Sequence, residues 1–235
     1  MRAPYYTDDA VTLYHADCRE ILPTLGPVDH VITDPPYDEQ THAGARRGVN
    51  GHTYDNLAQG IDFAPADPSW IAPMLVGASK RWVIAFCSLQ QLGGYEEAAA
   101  DAWVRAGAWH KIDGAPQFTG DRPAQGCDGL AILHRVAKKR WNGGGGQAFW
   151  ETTVERGNGR QHPTQKPERL MLQLVEQFTD VGDLILDPFA GSGTTAVAAK
   201  RLGRRCILIE QDERYCEVAA RRLTQGALDL FGVAP

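Results

Sequence analysis

Nothing in this 235-residue chain pairs cysteines or gathers metal ligands. Cys18, Cys87, Cys127, Cys206 and Cys216 are odd in number and scattered, with no C-x-x-C pair. That excludes a zinc ribbon or a disulfide framework and predicts a reducing, cytoplasmic setting. The seven histidines form no ligand pattern, so no metal is expected. No apolar run approaches the roughly 20 residues that span a bilayer. The opening Met1-Arg2-Ala3-Pro4-Tyr5-Tyr6-Thr7-Asp8-Asp9 lacks the apolar core of a signal peptide, so no membrane partner is expected. There is no internal repeat, no G-x-G-x-x-G and no P-loop lysine.

Apolar content of 43% and charged content of 23% suit an ordinary globular chain. The length predicts one domain over 1–235. The net charge of −5 argues against a nucleic-acid partner on average, but it hides an asymmetry. From Arg135 to Arg169 there are eight basic residues against three acidic ones. A basic segment on an acidic chain can bind DNA locally, although a solvated surface accounts for the charge alone.

Segments 28–33, 81–86 and 129–134 read as buried strands, and 69–79, 95–106 and 167–179 as helices. The clearest unit follows: strand 183–187, glycine turn 188–195, helix 196–202, strand 205–210 and helix 212–223. Strand, turn, helix, strand is the unit of a parallel sheet, so the predicted fold is α/β, a doubly wound, mostly parallel sheet. Two stretches resist this pattern. Segment 38–60 is polar and glycine-bearing and reads as a mobile loop. Segment 137–161 is basic and contains Gly143-Gly144-Gly145-Gly146. Loops this long inside a domain are usually functional.

Two motifs carry chemistry. In Asp187-Pro188-Phe189-Ala190-Gly191-Ser192-Gly193-Thr194-Thr195, glycines at a strand-to-helix turn let a ligand approach the backbone. Glu210 lies 17 residues after Gly193, at the end of the next strand. That is near the ~20-residue spacing at which dinucleotide folds place an acid on ribose hydroxyls. A nucleoside is implied, without a demand for phosphate. Taken alone, the turn is equally a tight bend in a ligand-free fold. In Asp34-Pro35-Pro36-Tyr37, an acid, a carbonyl without a competing N–H and an aromatic ring follow an apolar strand. Ligands bind at that edge of open α/β sheets, although a proline turn after a strand is common in itself.

Together the motifs resemble those of the DNA amino-methyltransferases. Asp34-Pro35-Pro36-Tyr37 resembles their catalytic motif, and 187–195 their S-adenosylmethionine-binding motif. His162-Pro163-Thr164-Gln165-Lys166-Pro167 resembles a third family segment. The catalytic motif precedes the cofactor motif, an order similar to the beta class, and the resemblance runs from Val11 to about Leu223. It implies a Rossmann-like methyltransferase fold with S-adenosylmethionine as cofactor. It also implies double-stranded DNA as partner, and a homodimer is compatible with it. Asp17, with Cys18 beside it, matches the position that contacts the cofactor's adenine. Asp34, Asp187, Pro188, Phe189, Gly191, Ser192, Gly193, Thr194 and Thr195 would line the cofactor. Glu210, followed by Gln211, would hold the ribose, while His162, Thr164 and Lys166 would close over it.

The reaction so implied moves a methyl group to the exocyclic amine of a base flipped out of the duplex. That amine is a poor nucleophile until acceptors on its N–H bonds pull it towards tetrahedral geometry. The Asp34 side chain and the Pro35 carbonyl are the expected acceptors, with Pro36 fixing the turn and Tyr37 stacking on the base. The leading acid implies adenine N6, as in restriction-modification systems, with cytosine N4 as the alternative. An RNA or protein amide methyltransferase, or a silent DNA-binding protein, fits the motif order and the intact motifs less well. Segment 137–161 is the candidate target-recognition insertion. Lys138, Lys139 and Arg140 would meet phosphates and Trp141 and Asn142 bases, helped by Arg46 and Arg47 in the 38–60 loop.

Overall fold

The structure, a computed structural model, describes residues 2–37, 67–117, 120–155 and 165–230, with side chains through Gln225. The 38–60 loop with Arg46 and Arg47, together with His162 and Thr164, lies outside the described residues.

The described strands form one sheet. They are β1 (Tyr6–Thr7), β2 (Val11–His15), β3 (His30–Thr33), β4 (Trp82–Cys87), β5 (Trp103–Lys111), β6 (Cys127–His134), β7 (Phe149–Thr152), β8 (Leu184–Asp187) and β9 (Arg205–Glu210). Their spatial order is β1-β2-β9-β8-β3-β4-β6-β5-β7. Pairs β2/β9, β9/β8, β8/β3, β3/β4 and β5/β7 are parallel, while β1/β2, β4/β6 and β6/β5 are antiparallel. The doubly wound, mostly parallel α/β expectation therefore holds.

Side chains alternate across the sheet with the period of 2 that strands impose. Ile32, Ile84, Phe86, Leu130, Ile132, Ile185 and Leu208 face one layer, containing α4 (Glu168–Phe178), α5 (Thr194–Arg201) and α6 (Glu213–Leu230). Val31, Val83, Ala85, Ala131, Leu133, Leu186 and Ile209 face the other, containing α1 (Cys18–Ile21), α2 (Pro68–Ala78) and α3 (Leu92–Ala98). Strands buried on both faces read as continuous apolar runs. α4 carries its apolar residues at helical spacing and buries Leu170, Met171, Leu174, Val175 and Phe178. Each such large side chain contributes about 1.5–3 kcal/mol.

One helix expectation fails. The alanine-rich 95–106 window is α-helical only to Ala98, a 3-10 turn follows over Ala100–Ala102, and β5 begins at Trp103. Helix propensity loses there to sheet pairing: β5 follows β6 from Trp103 to His110 and buries Trp109. Gly107 already marks the strand, since a Cβ on it would lie 2.9 Å from the Trp150 ring.

The parallel strands β2, β9, β8, β3 and β4 all end at one edge of the sheet. Between β8 and β3 the winding reverses, and such switch points are where open α/β sheets bind ligands. Asp187 ends β8, and Asp34 follows β3.

Candidate active site

The two motifs meet at this switch point. Asp187 is buried and accepts hydrogen bonds from Thr33 Oγ1 (2.7 Å), Thr195 Oγ1 (2.6 Å) and the Phe189 amide (3.1 Å). Burial pushes its carboxyl up to about 6, against the pull of those bonds. Asp187 is thus the knot joining both motifs.

The glycine turn has two further supports. Glu210, also buried, accepts the Gly191 amide on Oε2 (2.7 Å) and the Asp212 amide on Oε1 (2.8 Å). Burial raises its carboxyl above the usual range, and the backbone bonds oppose the rise. Arg222 of α6 donates from Nη1 to the Ser192 carbonyl (2.7 Å), Ser192 Oγ (3.1 Å) and Thr194 Oγ1 (3.0 Å). Gly193, at φ 76°, is doubly required, because a Cβ there would sit 2.9 Å from Ala219 Cβ. Gly191, at φ 49°, faces open space, where a ligand can lie against the backbone. Pro188, Ser192, Thr194 and Thr195 are buried in the turn, and Phe189 is half-buried. Asp17 caps α1 through the Arg19 amide (2.8 Å) and pairs with the Arg19 side chain, which holds its carboxyl low. Cys18 is buried, and Gln211 offers its carbonyl to His15 Nε2 at 3.0 Å. An acid ending β9, an open glycine turn and a carboxylate after β2 therefore suit a nucleoside bearing a positive centre.

Asp34 stands on the other side of the switch point. Its Oδ2 accepts from Lys166 Nζ at 2.6 Å, while Oδ1 is buried with no partner among the described residues. Burial raises the carboxyl, and the Lys166 charge opposes this. Pro35 is buried, Pro36 half-buried, and the Tyr37 ring lies 5.2 Å from Lys166 Nζ. Phe86 and Trp109 complete a box of rings around that ammonium, at 4.9 and 5.9 Å. Asp128 Oδ2 lies 3.9 Å from Lys166, and Asp128 Oδ1 accepts from Lys111 Nζ at 2.6 Å.

Sequence reasoning missed Thr33, Phe86, Trp109, Lys111, Asp128 and Arg222. Asp128 left a signal: an acid two residues before the apolar run 130–133. Among the described residues no group of His, Cys, Asp or Glu could hold a metal, and no helix is long and apolar enough to cross a membrane.

The expected DNA-contacting row lies apart from the two motifs. β6 runs antiparallel to β4, pairing His134 with Trp82 at the start of β4, and so returns the chain to the edge opposite Asp34. Residues 137–142 stay there, with Trp82 Nε1 donating to the Arg140 carbonyl at 2.7 Å. Trp141 packs on Phe178, and the Asn142 amide donates to the Thr179 carbonyl at 2.9 Å. Arg140 pairs with Asp180 at 3.2 Å, while Lys138 and Lys139 are exposed. The glycine run is a seat rather than a hinge: a Cβ on Gly143 would lie 2.3 Å from the Trp141 ring. Lys138, Lys139, Arg140, Trp141 and Asn142 therefore lie at the sheet edge opposite Asp34. The described parts of the connection between β5 and β6, 112–117 and 120–126, lie at the Asp34 edge instead.

A mostly parallel sheet with an open glycine turn at its switch point defines the class, the Rossmann-like S-adenosylmethionine-dependent methyltransferase fold. A family profile described as DNA methylase matches residues 108–221. The chain is 28% identical over 255 aligned positions to the Type II methyltransferase M2.DpnII of Streptococcus pneumoniae, covering 95% of this chain and 93% of that one. Identity to M.HinfI of Haemophilus influenzae is also 28%, over 91% of this chain and 68% of the relative. The crystal structure of an M1.HpyAVI–SAM complex superposes with a TM-score of 0.70 at 25% identity, covering 91% of this chain and 98% of that one. Along most of its length the chain is thus similar to DNA methyltransferases.

Proposed function

We propose that this chain methylates the N6 amine of an adenine flipped out of double-stranded DNA. The observation that carries the reading is Asp34 Oδ1. It is a buried carboxylate oxygen with no partner among the described residues, beside the glycine turn and fixed to it through Thr33 and Asp187. An unpaired buried acceptor is costly unless a ligand donor completes it. S-adenosylmethionine, when bound, supplies a methyl group on a positively charged sulfur. Glu210 and the 187–195 turn would hold it, with Asp17 and Cys18 on its adenine side and Gln211 beside the ribose. His162 and Thr164 keep their proposed place over the cofactor.

Asp34 accepts an N–H of the target amine, Pro35 offers a carbonyl without a competing N–H, and Tyr37 stacks on the base. Polarising the amine in this way is catalysis by positioning and electrostatics. Flipping costs a few kcal/mol, which stacking on Tyr37 partly offsets. DNA lies across the edge formed by the ends of β3, β8 and β5, where the 112–126 connection carries exposed Arg122. Arg46 and Arg47, in the 38–60 segment after the Asp34 motif, are proposed as further contacts. The Type II relatives support a modification enzyme of a restriction system, and five free cysteines suit the cytoplasm.

The test is incubation with S-adenosylmethionine and mixed-sequence duplex DNA, followed by nucleoside mass spectrometry. N6-methyladenine is the expected product. N4-methylcytosine would overturn the choice of base. Transfer to RNA or protein alone would overturn the substrate class, and no transfer to any acceptor would overturn the activity.

A further inference from the structure

Sequence resemblance sends Lys166 to the cofactor, but its ammonium is engaged elsewhere. The side chain is only 9% exposed and donates to Asp34 Oδ2 at 2.6 Å. Tyr37, Phe86 and Trp109 surround it at 5.2, 4.9 and 5.9 Å, distances at which ring faces stabilise a cation. Behind it, Asp128 Oδ2 stands at 3.9 Å, and Lys111 fixes the other oxygen of Asp128 at 2.6 Å. Asp34, Lys166, Asp128 and Lys111 thus form a row of alternating charge. It begins after β3, crosses the segment ahead of α4, and ends on β6 and β5. Buried charges are retained at such cost only when each has its partner.

We propose that Lys166 is a positioning residue for methyl transfer: it holds Asp34 ionised and in one rotamer by occupying Oδ2, leaving Oδ1 as the acceptor for the target amine. The inference rests on Asp34 being that acceptor. Asp128 and Lys111 fix Lys166 in turn, and the rings keep water from competing for its ammonium. No bond is made or broken by Lys166.

Among the described residues, the groups facing Asp34 from the surrounding elements are few. Beyond Lys166 and Asp128 they are Tyr37, Cys87 of β4, Tyr95 of α3 and Asp187 of β8. Burial raises Tyr37 and Tyr95 well above the ordinary phenol range and pushes Cys87 up to about 12. Near neutral pH, Asp187 is therefore the one neighbour among these whose titration could be mistaken for that of Asp34. Loss of Lys166 moves the Asp34 titration upward, because the largest opposition to burial is then gone and only the smaller pull of the Tyr37 hydroxyl remains.

The experiment is carbon-13 NMR titration of aspartate carboxyls in the full-length protein, with Asp34→Asn and Asp187→Asn assigning the two signals. In Lys166→Met the Asp34 titration should rise by about one pH unit or more, a tenfold or larger change in its proton affinity. The acidic limb of single-turnover methylation should move with it. Affinity for S-adenosylhomocysteine should stay within about twofold, because the ammonium does not serve the cofactor. Lys166→Arg should leave the limb in place, and Asp128→Asn should not raise it. Lys166→Gln carries the same expectation as Met if the Met variant does not fold. An unmoved Asp34 titration in the Met or Gln variant overturns the inference, as does a large loss of S-adenosylhomocysteine affinity without a shift. Should the wild type methylate no acceptor while the Asp34 signal still shifts, the proposed function fails and the Lys166–Asp34 coupling stands.

Discussion

Thr33 donates its hydroxyl to Asp187 Oδ1 at 2.7 Å, across 154 positions of sequence. The bond ties the end of β3 to the end of β8, which are parallel neighbours. Asp34 is the next residue after Thr33, so this contact sets the distance between the Asp34 carboxylate and the glycine turn. Thr33→Val keeps the shape and removes the donor. It should lower stability by about 1–2 kcal/mol, read as a lower urea midpoint, because a buried acceptor loses a partner. Thr33→Ser should recover most of that loss. A Val variant as stable as the parent would show that the bond does not hold the switch point together.

Asp187 makes a pH prediction with a definite sign. Burial raises its carboxyl from 3.8 to about 6 in the folded protein. Between those values the folded chain keeps a proton that the unfolded chain has lost. Stability therefore falls as pH rises through the window, by up to roughly 3 kcal/mol. Asp187→Asn cannot ionise, yet it can still accept from Thr33 and donate to Thr195. Its stability relative to the parent should increase from pH 4 to pH 7, measured by urea unfolding at both ends. A constant difference would mean that Asp187 titrates alike in both states.

Local patterns made the site legible. A strand ending in an acid, a glycine turn and a second acid after the next strand are all set within a few tens of residues. Asp34, Asp187, Gly193 and Glu210 therefore fall where their spacing put them. Strand direction leaves no such trace. Nothing local in 129–134 says that this strand runs against β4, and on that direction depends which edge Lys138 to Asn142 occupy. The partners of Asp34 were equally hidden. Lys166, Asp128 and Lys111 come together through tertiary contacts among segments far apart in sequence. Trp141 and Asn142 looked like base readers because aromatic and amide groups serve both stacking on DNA and packing on a helix end.

Asp34→Ala should abolish methyl transfer while affinity for S-adenosylhomocysteine changes little. Its carboxylate is bonded to Lys166 and to no residue of the glycine turn among the described residues. The measurement is single-turnover transfer beside calorimetry. Near-native turnover would remove Asp34 from the mechanism.

Glu210→Ala should act on cofactor and fold together. Both carboxylate oxygens hold backbone amides of the site, at Gly191 and Asp212. Affinity for S-adenosylhomocysteine should fall by about 1–3 kcal/mol, the scale of charge-assisted bonds. Glu210→Gln keeps one good acceptor and should lose less. Equal affinity in all three proteins by calorimetry would show that Glu210 faces away from the cofactor.

The edge on which DNA lies can be decided by charge. Lys138, Lys139 and Arg140 form the densest basic run, and from sequence alone their removal should flatten the salt dependence of DNA binding. Their place in the sheet argues for the opposite outcome. Antiparallel β6 carries them to the edge where β4 begins, with the whole sheet between them and Asp34. Replacing all three with Ala should leave DNA affinity within about twofold and the salt slope unchanged, because no phosphate contact is lost. Arg122, 67% exposed on the connection between β5 and β6, stands at the Asp34 edge. Arg122→Ala should reduce the slope by about one unit if it meets one phosphate. S-adenosylhomocysteine binding supplies the control, since neither change touches the glycine turn. The comparison uses fluorescence anisotropy of a labelled duplex over a series of salt concentrations. A triple variant with a flattened slope, beside an Arg122 variant that matches the parent, would return the DNA to the far edge and leave Asp34 without a base to act on.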